Sequence, residues 1–143
     1  MKKFVVDASV CLKWVFEEED SEKARIIQKD FQDNKILLVV PNLWEYEIVS
    51  ALSSGLRRKK ITFSQAKLFL KTLMQAKPEI VTISNLLDEC LENTKKYDLS
   101  AYDSAYVTLA KEDKMVFISA DNKLVSKIND TKIAITLSAW PST

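Results

Sequence analysis

Five short runs rich in Val, Ile and Leu recur along the chain, at residues 3–6, 36–40, 80–82, 116–119 and 132–135. None keeps a strict apolar–polar alternation, which is the pattern of strands buried on both faces. Between them apolar positions recur at helical spacing and predict helices over about 9–16, 21–33, 42–58, 63–76, 84–96, 101–113 and 122–129. Strand and helix in alternation predict an α/β domain, a parallel sheet layered between helices. Pro41 is placed at the start of the helix after the second strand, where a missing N–H is tolerated. The segment from Ser53 to Thr62 ends that helix and turns into the next. There Phe63, Ala66, Leu70, Leu73 and Met74 form a stripe that faces either the core or a partner. No repeat, linker or low-complexity stretch divides the chain, so residues 1–143 are expected to form one domain.

Carboxylates interrupt this pattern in four places. Asp7 ends the run Phe4-Val5-Val6, and Asp121 follows Met115-Val116-Phe117-Ile118-Ser119-Ala120. Glu47 lies in Pro41-Asn42-Leu43-Trp44-Glu45-Tyr46-Glu47-Ile48-Val49, and Asp103 in Leu99-Ser100-Ala101-Tyr102-Asp103-Ser104-Ala105-Tyr106. Each has an ordinary reading beside a functional one. Asp7 and Asp121 are placed to N-cap the helices that follow them. Ser100 and Asp103 have the spacing of a capping box. Asp103 also shares a helix face with Tyr106, Val107 and Ala110. Glu47 is read as mid-helix with no capping role, on a face with Leu43, Ser50, Ala51 and Ser54. Glu45, about 200° round the helix, is read as solvated.

Ligands of open parallel sheets bind beyond the carboxyl ends of the strands. Asp7 and Asp121 follow the first and fourth runs, and Glu47 follows the second. Asp103 opens the helix that returns to the fourth, so its helix N-terminus lies at the same edge. Topology alone therefore puts all four carboxylates on one rim. Burying a carboxylate is costly without a cation or hydrogen bonds, and several together point to a bound divalent metal and phosphodiester chemistry.

Composition narrows the chemistry. With no histidine, Ser-His-Asp triads and His-ligated zinc are excluded. With one glycine, Gly55, neither a P-loop nor a GxGxxG loop can be built. The formal net charge is +1, so a nucleic-acid partner would need a local patch, for which Arg57-Arg58-Lys59-Lys60 is the candidate. A solvated helix end explains that run equally well. Cys11 and Cys90 fit no ligand spacing and are read as reduced, buried thiols. No run approaches the ~20 residues of a membrane span and Met1-Lys2-Lys3 has no apolar region behind it, so a cytoplasmic protein is expected.

The same stretches resemble a PIN domain, most of all the VapC-type ribonuclease toxins of prokaryotic toxin–antitoxin pairs. The resemblance rests on Val5-Val6-Asp7-Ala8-Ser9, on Pro41-Asn42-Leu43 through Glu47-Ile48-Val49-Ser50-Ala51-Leu52, on Leu99 through Tyr106 with Leu109-Ala110, and on Ile118-Ser119-Ala120-Asp121-Asn122-Lys123-Leu124, in that order. It implies a three-layer α/β/α fold with a five-stranded parallel sheet in the order 3-2-1-4-5. It also implies a Mg²⁺ or Mn²⁺ site made by Asp7, Glu47, Asp103 and Asp121. Ser119 stands where the family has Thr or Ser, and its hydroxyl would orient a carboxylate or a bound water. Ser50 and Ser104 depart from the family's usual Asn and Ala. The implied activity is endoribonuclease cleavage of RNA by a metal-activated water, leaving 5′-phosphate and 3′-hydroxyl ends. Asp7, Asp103 and Asp121 would be the principal ligands. Glu47 would act through water, and Lys13 could touch phosphate or simply be solvated.

An antitoxin would lay a helix in a groove built from the helices over 43–52 and 63–74, and could insert an Arg or Lys near Asp7 and Asp121. The same helices could instead form a homodimer face. Two other classes compete with this reading. One is another metal-dependent phosphohydrolase, although a haloacid-dehalogenase type would need an Asp where Ser9 stands, and a phospho-receiver an Asp where Ile83-Ser84 stand. The other is a non-catalytic binding module on the same fold.

Overall fold

The central strand β1 (Lys2–Val6) pairs in parallel with β2 (Ile36–Pro41) on one side and β4 (Val116–Ser119) on the other. The computed structural model describes residues 1–141. β3 (Glu79–Val81) and β5 (Ala134–Thr136) complete a five-stranded parallel sheet in the order β3-β2-β1-β4-β5, as expected. Val5 faces Val39 on one neighbour and Phe117 on the other, and Ile118 faces Ile135. Val5, Val6, Leu38, Val40, Phe117 and Ile118 are fully buried, which explains why these runs carry no polar alternation.

The connecting helices are α1 (Ala8–Leu12), α2 (Ser21–Gln32), α3 (Trp44–Arg57), α4 (Phe63–Gln75), α5 (Leu87–Tyr97), α6 (Ala101–Glu112) and α7 (Asn122–Ile128). They flank the sheet as a three-layer α/β/α, PIN-like arrangement. Helix α6 is its most buried helix. Tyr106 on α6 stacks on Phe117 of β4, with ring centroids 5.6 Å apart and planes 11° off parallel. Ser104, buried on the same helix, donates to the Cys90 carbonyl at 2.6 Å and ties α6 to α5. Full burial of a side chain such as Ile27, Ile48 or Leu73 contributes roughly 1.5–3 kcal/mol.

Several boundaries differ from the sequence expectation. Pro41 closes β2, opposite Val81, and does not open a helix; α3 starts only at Trp44. A proline drives the residue before it towards extended backbone, so Val40 prolongs the strand. α1 stops at Leu12, because its last turn tightens into i→i+3 bonds and the Trp14 indole N–H donates to the Ala24 carbonyl at 2.9 Å. Residues Ser84–Leu86 form a 3₁₀ turn ahead of α5 where one continuous helix is predicted, since the Ser84 N–H is held by the Thr82 hydroxyl at 3.2 Å. β5 starts at Ala134, two residues late, because the Asp130 carboxylate holds the Lys132 N–H in a turn.

With so little glycine, left-handed helix ends fall to other residues. Asp98 and Asn129 close α5 and α7 at φ of 56° and 50°, a conformation that short polar side chains tolerate better than most.

The winding reverses between β1 and β4, since β2 and β3 extend the sheet one way and β5 the other. The crevice at such a switch point is where an open α/β sheet binds its ligand.

Candidate functional site

Asp7 leaves β1 at that crevice. It is only 8% exposed. It N-caps α1, accepting the Val10 N–H at 3.3 Å. The Ser9 hydroxyl donates to Oδ1, and the Ser119 hydroxyl donates to Oδ2 at 2.5 Å. Burial pushes the carboxyl from an ordinary 3.8 up to about 6; the two hydroxyls and the Val10 amide oppose that rise, and the charge of Asp103 adds to it. Capping and site membership are therefore not alternatives at this residue.

The two hydroxyls also fix the neighbouring loop. Ser119 accepts the Asp121 N–H at 3.0 Å while donating to Asp7, and Ser9 accepts the Ala120 N–H at 3.1 Å while donating to Asp7. Each hydroxyl is a donor to the carboxylate and an acceptor from the loop, so neither is free to rotate. Asp121, exposed, N-caps α7 by accepting the Leu124 N–H at 3.1 Å.

Glu47 lies in the first turn of α3, not mid-helix as its sequence surroundings predict. The helix begins later than expected, and this puts the carboxylate at the positive end of the helix dipole. Its Oε1 accepts from the hydroxyl of Tyr106, which is 1% exposed. Burial raises the Glu47 pKa, the Tyr106 hydroxyl lowers it, and the charges of Asp7 and Asp103 raise it further. Burial and the adjacent Glu47 carboxylate push the Tyr106 phenol up in turn. Asp103, half-buried, sits in the first turn of α6, whose N-cap Ser100 accepts the Asp103 N–H at 3.1 Å. Its pKa is raised by burial and by Asp121, against the Ser100 hydroxyl and the charge of Lys127.

Asp7, Glu47 and Asp103 thus feel one another, and Asp121 joins through Asp103 and Ser119. None of the ion pairs among the described residues involves any of the four. The donors are all oxygens and only the charge of Lys127 acts against theirs, at Asp103, a set that suits a hard divalent cation. Among the described residues no three Asp, Glu or Cys side chains converge as a closed ligand set. Asp7, Glu47 and Asp121 each accept from a hydroxyl or amide of their own.

Other sequence candidates lie elsewhere. Glu45 pairs with Lys77 at 3.6 Å, away from the rim. Lys13 is not solvated: its side chain is 13% exposed, with Nζ 3.9 Å from Glu18. Arg57 to Lys60 are exposed at the far end of α3, and ten residues of helix put Arg57 about 15 Å from Glu47. Arg57 donates to Ser53 at 2.8 Å across that helix end. Sequence reasoning missed the parts played by Ser9 and Tyr106. The signal for Ser9 was its place two residues after an N-capping Asp; the signal for Tyr106 was its place one turn after Asp103 on an apolar helix.

A family model described as PIN domain matches residues 4–129. Among solved structures, the crystal structure of PAE2754 from Pyrobaculum aerophilum superposes with a TM-score of 0.72 at 23% identity, over 96% of this chain and 92% of that one. This likeness concerns the fold. No curated protein matches the sequence.

Proposed function

The chain belongs to the PIN domain family, and from that premise we propose that it is a Mg²⁺- or Mn²⁺-dependent endoribonuclease, the toxin of a toxin–antitoxin pair. PIN domains are typically metal-dependent nucleases that bind RNA. The observation that carries the proposal is a set of coupled carboxylates at the carboxyl-end rim of the sheet, none of them in an ion pair among the described residues.

Asp7, Asp103 and Asp121 would hold the ion, with Glu47 beside it. A divalent cation bound there supplies Lewis-acid activation of water and neutralises charge developing on the phosphate. Ser119 and Ser9 hold the Asp7 carboxylate in one orientation. Glu47, with its raised pKa and its Tyr106 hydrogen bond, is suited to orient the attacking water and take its proton. Water adds to phosphorus in line, the bond to the 3′ oxygen breaks, and that oxygen takes a proton from solvent and leaves as a hydroxyl, so one product carries a 5′-phosphate.

The cleft between α3 and α4, lined by Val49, Leu52, Leu56, Phe63, Ala66 and Leu70, supports docking of a helical antitoxin or of a second copy as a homodimer. An Arg or Lys of the antitoxin reaching Asp7 and Asp121 would plug the site. Cytoplasmic residence belongs to the same reading, and two buried free thiols support it. No helix among the described residues is long and apolar enough to cross a membrane. A non-catalytic binding module is the second reading, favoured by the lack of a closed ligand set among the described residues. Incubation with mixed structured RNAs separates the two: cleavage to 5′-phosphate ends in Mg²⁺ or Mn²⁺, stopped by chelator, supports the nuclease, and intact RNA in either metal supports the module.

A further inference from the structure

Two large aromatic side chains stand in solvent beside the carboxylates. Tyr46 is 80% exposed and Tyr102 66% exposed. Each immediately precedes a rim acid near a helix N-terminus, as Tyr46-Glu47 on α3 and Tyr102-Asp103 on α6. One residue along an α-helix turns the side-chain direction by about 100°, so each ring leaves its helix beside the carboxylate and not over it. The fold brings both helix starts to the same edge, and the two tyrosines line one cavity of about 340 Å³ with Leu43, Glu47 and Ser50. Glu47 is shared between this cavity and the carboxylate rim.

The lining chemistry restricts the occupant. It contains no Lys or Arg, and its one charge is negative, so it does not suit a phosphate. Two phenol rings, one aliphatic side chain and a hydroxyl suit a flat, uncharged ring with polar edges. Its volume is at the small end of the ~300–1,000 Å³ range of ligand sites. Exposed aromatic rings beside a nucleic-acid path are stacking platforms for unpaired bases.

We propose that the Tyr46–Tyr102 cavity is a nucleobase subsite, in which an unpaired base of the RNA strand stacks on one or both rings while its phosphate lies at the carboxylate rim. The proposal rests on the ribonuclease reading for its substrate. It also narrows that substrate: paired bases are unavailable for stacking, so the RNA taken here is single-stranded or a loop.

The test is equilibrium binding by fluorescence anisotropy in Ca²⁺, a hard cation that oxygen ligands hold, with each probe shown intact on a gel after the reading. The probes are a labelled single-stranded RNA octamer and an octamer of the same backbone with abasic riboses. At least one of Tyr46→Ala and Tyr102→Ala is expected to weaken binding of the first about fivefold or more, and both to leave the second unchanged. Tyr46→Phe and Tyr102→Phe, which keep the ring, are expected to bind as the wild type. Both sites are exposed, and melting curves confirm that each variant is folded. Wild-type affinity in both alanine variants, an equal loss for the abasic octamer, or no wild-type binding to the RNA octamer overturns the subsite. The binding readout is independent of cleavage: a tyrosine-dependent preference without hydrolysis leaves the subsite and removes the nuclease, and hydrolysis without that preference does the reverse.

Discussion

The Ser119 hydroxyl lies 2.5 Å from Asp7 Oδ2 and donates to it, joining the carboxyl ends of β4 and β1 across the switch point. Ser119 is fully buried and Asp7 nearly so. A hydrogen bond to a buried charge contributes roughly 1.5–3 kcal/mol. Ser119→Ala should therefore lower the unfolding free energy at pH 7 by about that much, and by less at pH 4.5, where Asp7 carries its proton. Ser119→Thr should restore most of it. Urea denaturation at the two pH values measures both, and an equal loss at each would show that the Asp7 charge is not involved.

Metal-free stability should depend on pH through Asp7. Its pKa is raised in the folded state from 3.8 to about 6, so the native protein holds a proton that the unfolded chain has lost. Asp7 costs nothing below its unfolded pKa of 3.8; stability then falls as pH rises towards about 6, and the cost is fully present above. A rise of that size corresponds to roughly 3 kcal/mol. The directions for Glu47 and Asp103 act the same way. In chelator, urea midpoints should fall between pH 4 and pH 6.5, and Asp7→Asn should flatten the fall. A midpoint that rises across this window contradicts the burial account.

Divalent ions should reverse that cost, because they bind the folded state and not the unfolded chain. Stabilisation reaches about 2.7 kcal/mol at a hundredfold excess over Kd. Mn²⁺ at neutral pH should raise the melting temperature of the wild type. Asp103→Asn should melt above the wild type in chelator, since one repelling charge is gone, and should respond much less to Mn²⁺. Were Ser100–Asp103 capping all that matters at this position, the variant would be neutral or less stable in chelator, and both proteins would respond to Mn²⁺ alike.

Tyr106→Phe should separate positioning from folding. The ring keeps its stack on Phe117, and only the hydroxyl that donates to Glu47 is lost. The expected stability cost is about 0.5–1.5 kcal/mol. Losing a donor to the carboxylate raises the Glu47 pKa further, so the acidic limb of the RNA-cleavage pH profile should move to higher pH. A lower rate with an unmoved limb would leave Tyr106 a purely structural part.

The strand runs, Asp7 and Asp121 are legible in the sequence because each is a local signal: a β-rich run, then a carboxylate just past its end. The order of the strands follows from the resemblance. Other features depend on contacts that periodicity does not carry. The Tyr106–Glu47 bond spans 59 residues and the Ser119–Asp7 bond 112. Ser119 can be placed only through the resemblance, and Tyr106 reads as part of the face that turns Asp103 inward. Lys13 reads as solvated because a lysine just past a short helix carries no periodic signal of burial, yet its side chain is only 13% exposed. The basic run Arg57 to Lys60 reads as a solvated helix end or an RNA patch, and the length of α3, which sets its distance from the acids, is not carried by the charge run itself. Glu47 reads as mid-helix because Pro41 looks like a helix start, and the strand that continues through Pro41 moves the boundary.

The central claim is that one rim of carboxylates makes this PIN domain a metal-dependent ribonuclease. The most direct test is cleavage of mixed structured RNAs in Mn²⁺ by the wild type, by Asp7→Asn, Asp103→Asn and Asp121→Asn, and by Glu45→Gln, whose carboxylate pairs with Lys77 outside the rim. Each Asp variant should be folded and inactive, and Glu45→Gln should cut at close to the wild-type rate. Cleavage that persists in all three Asp variants, or that survives chelator in the wild type, contradicts the account.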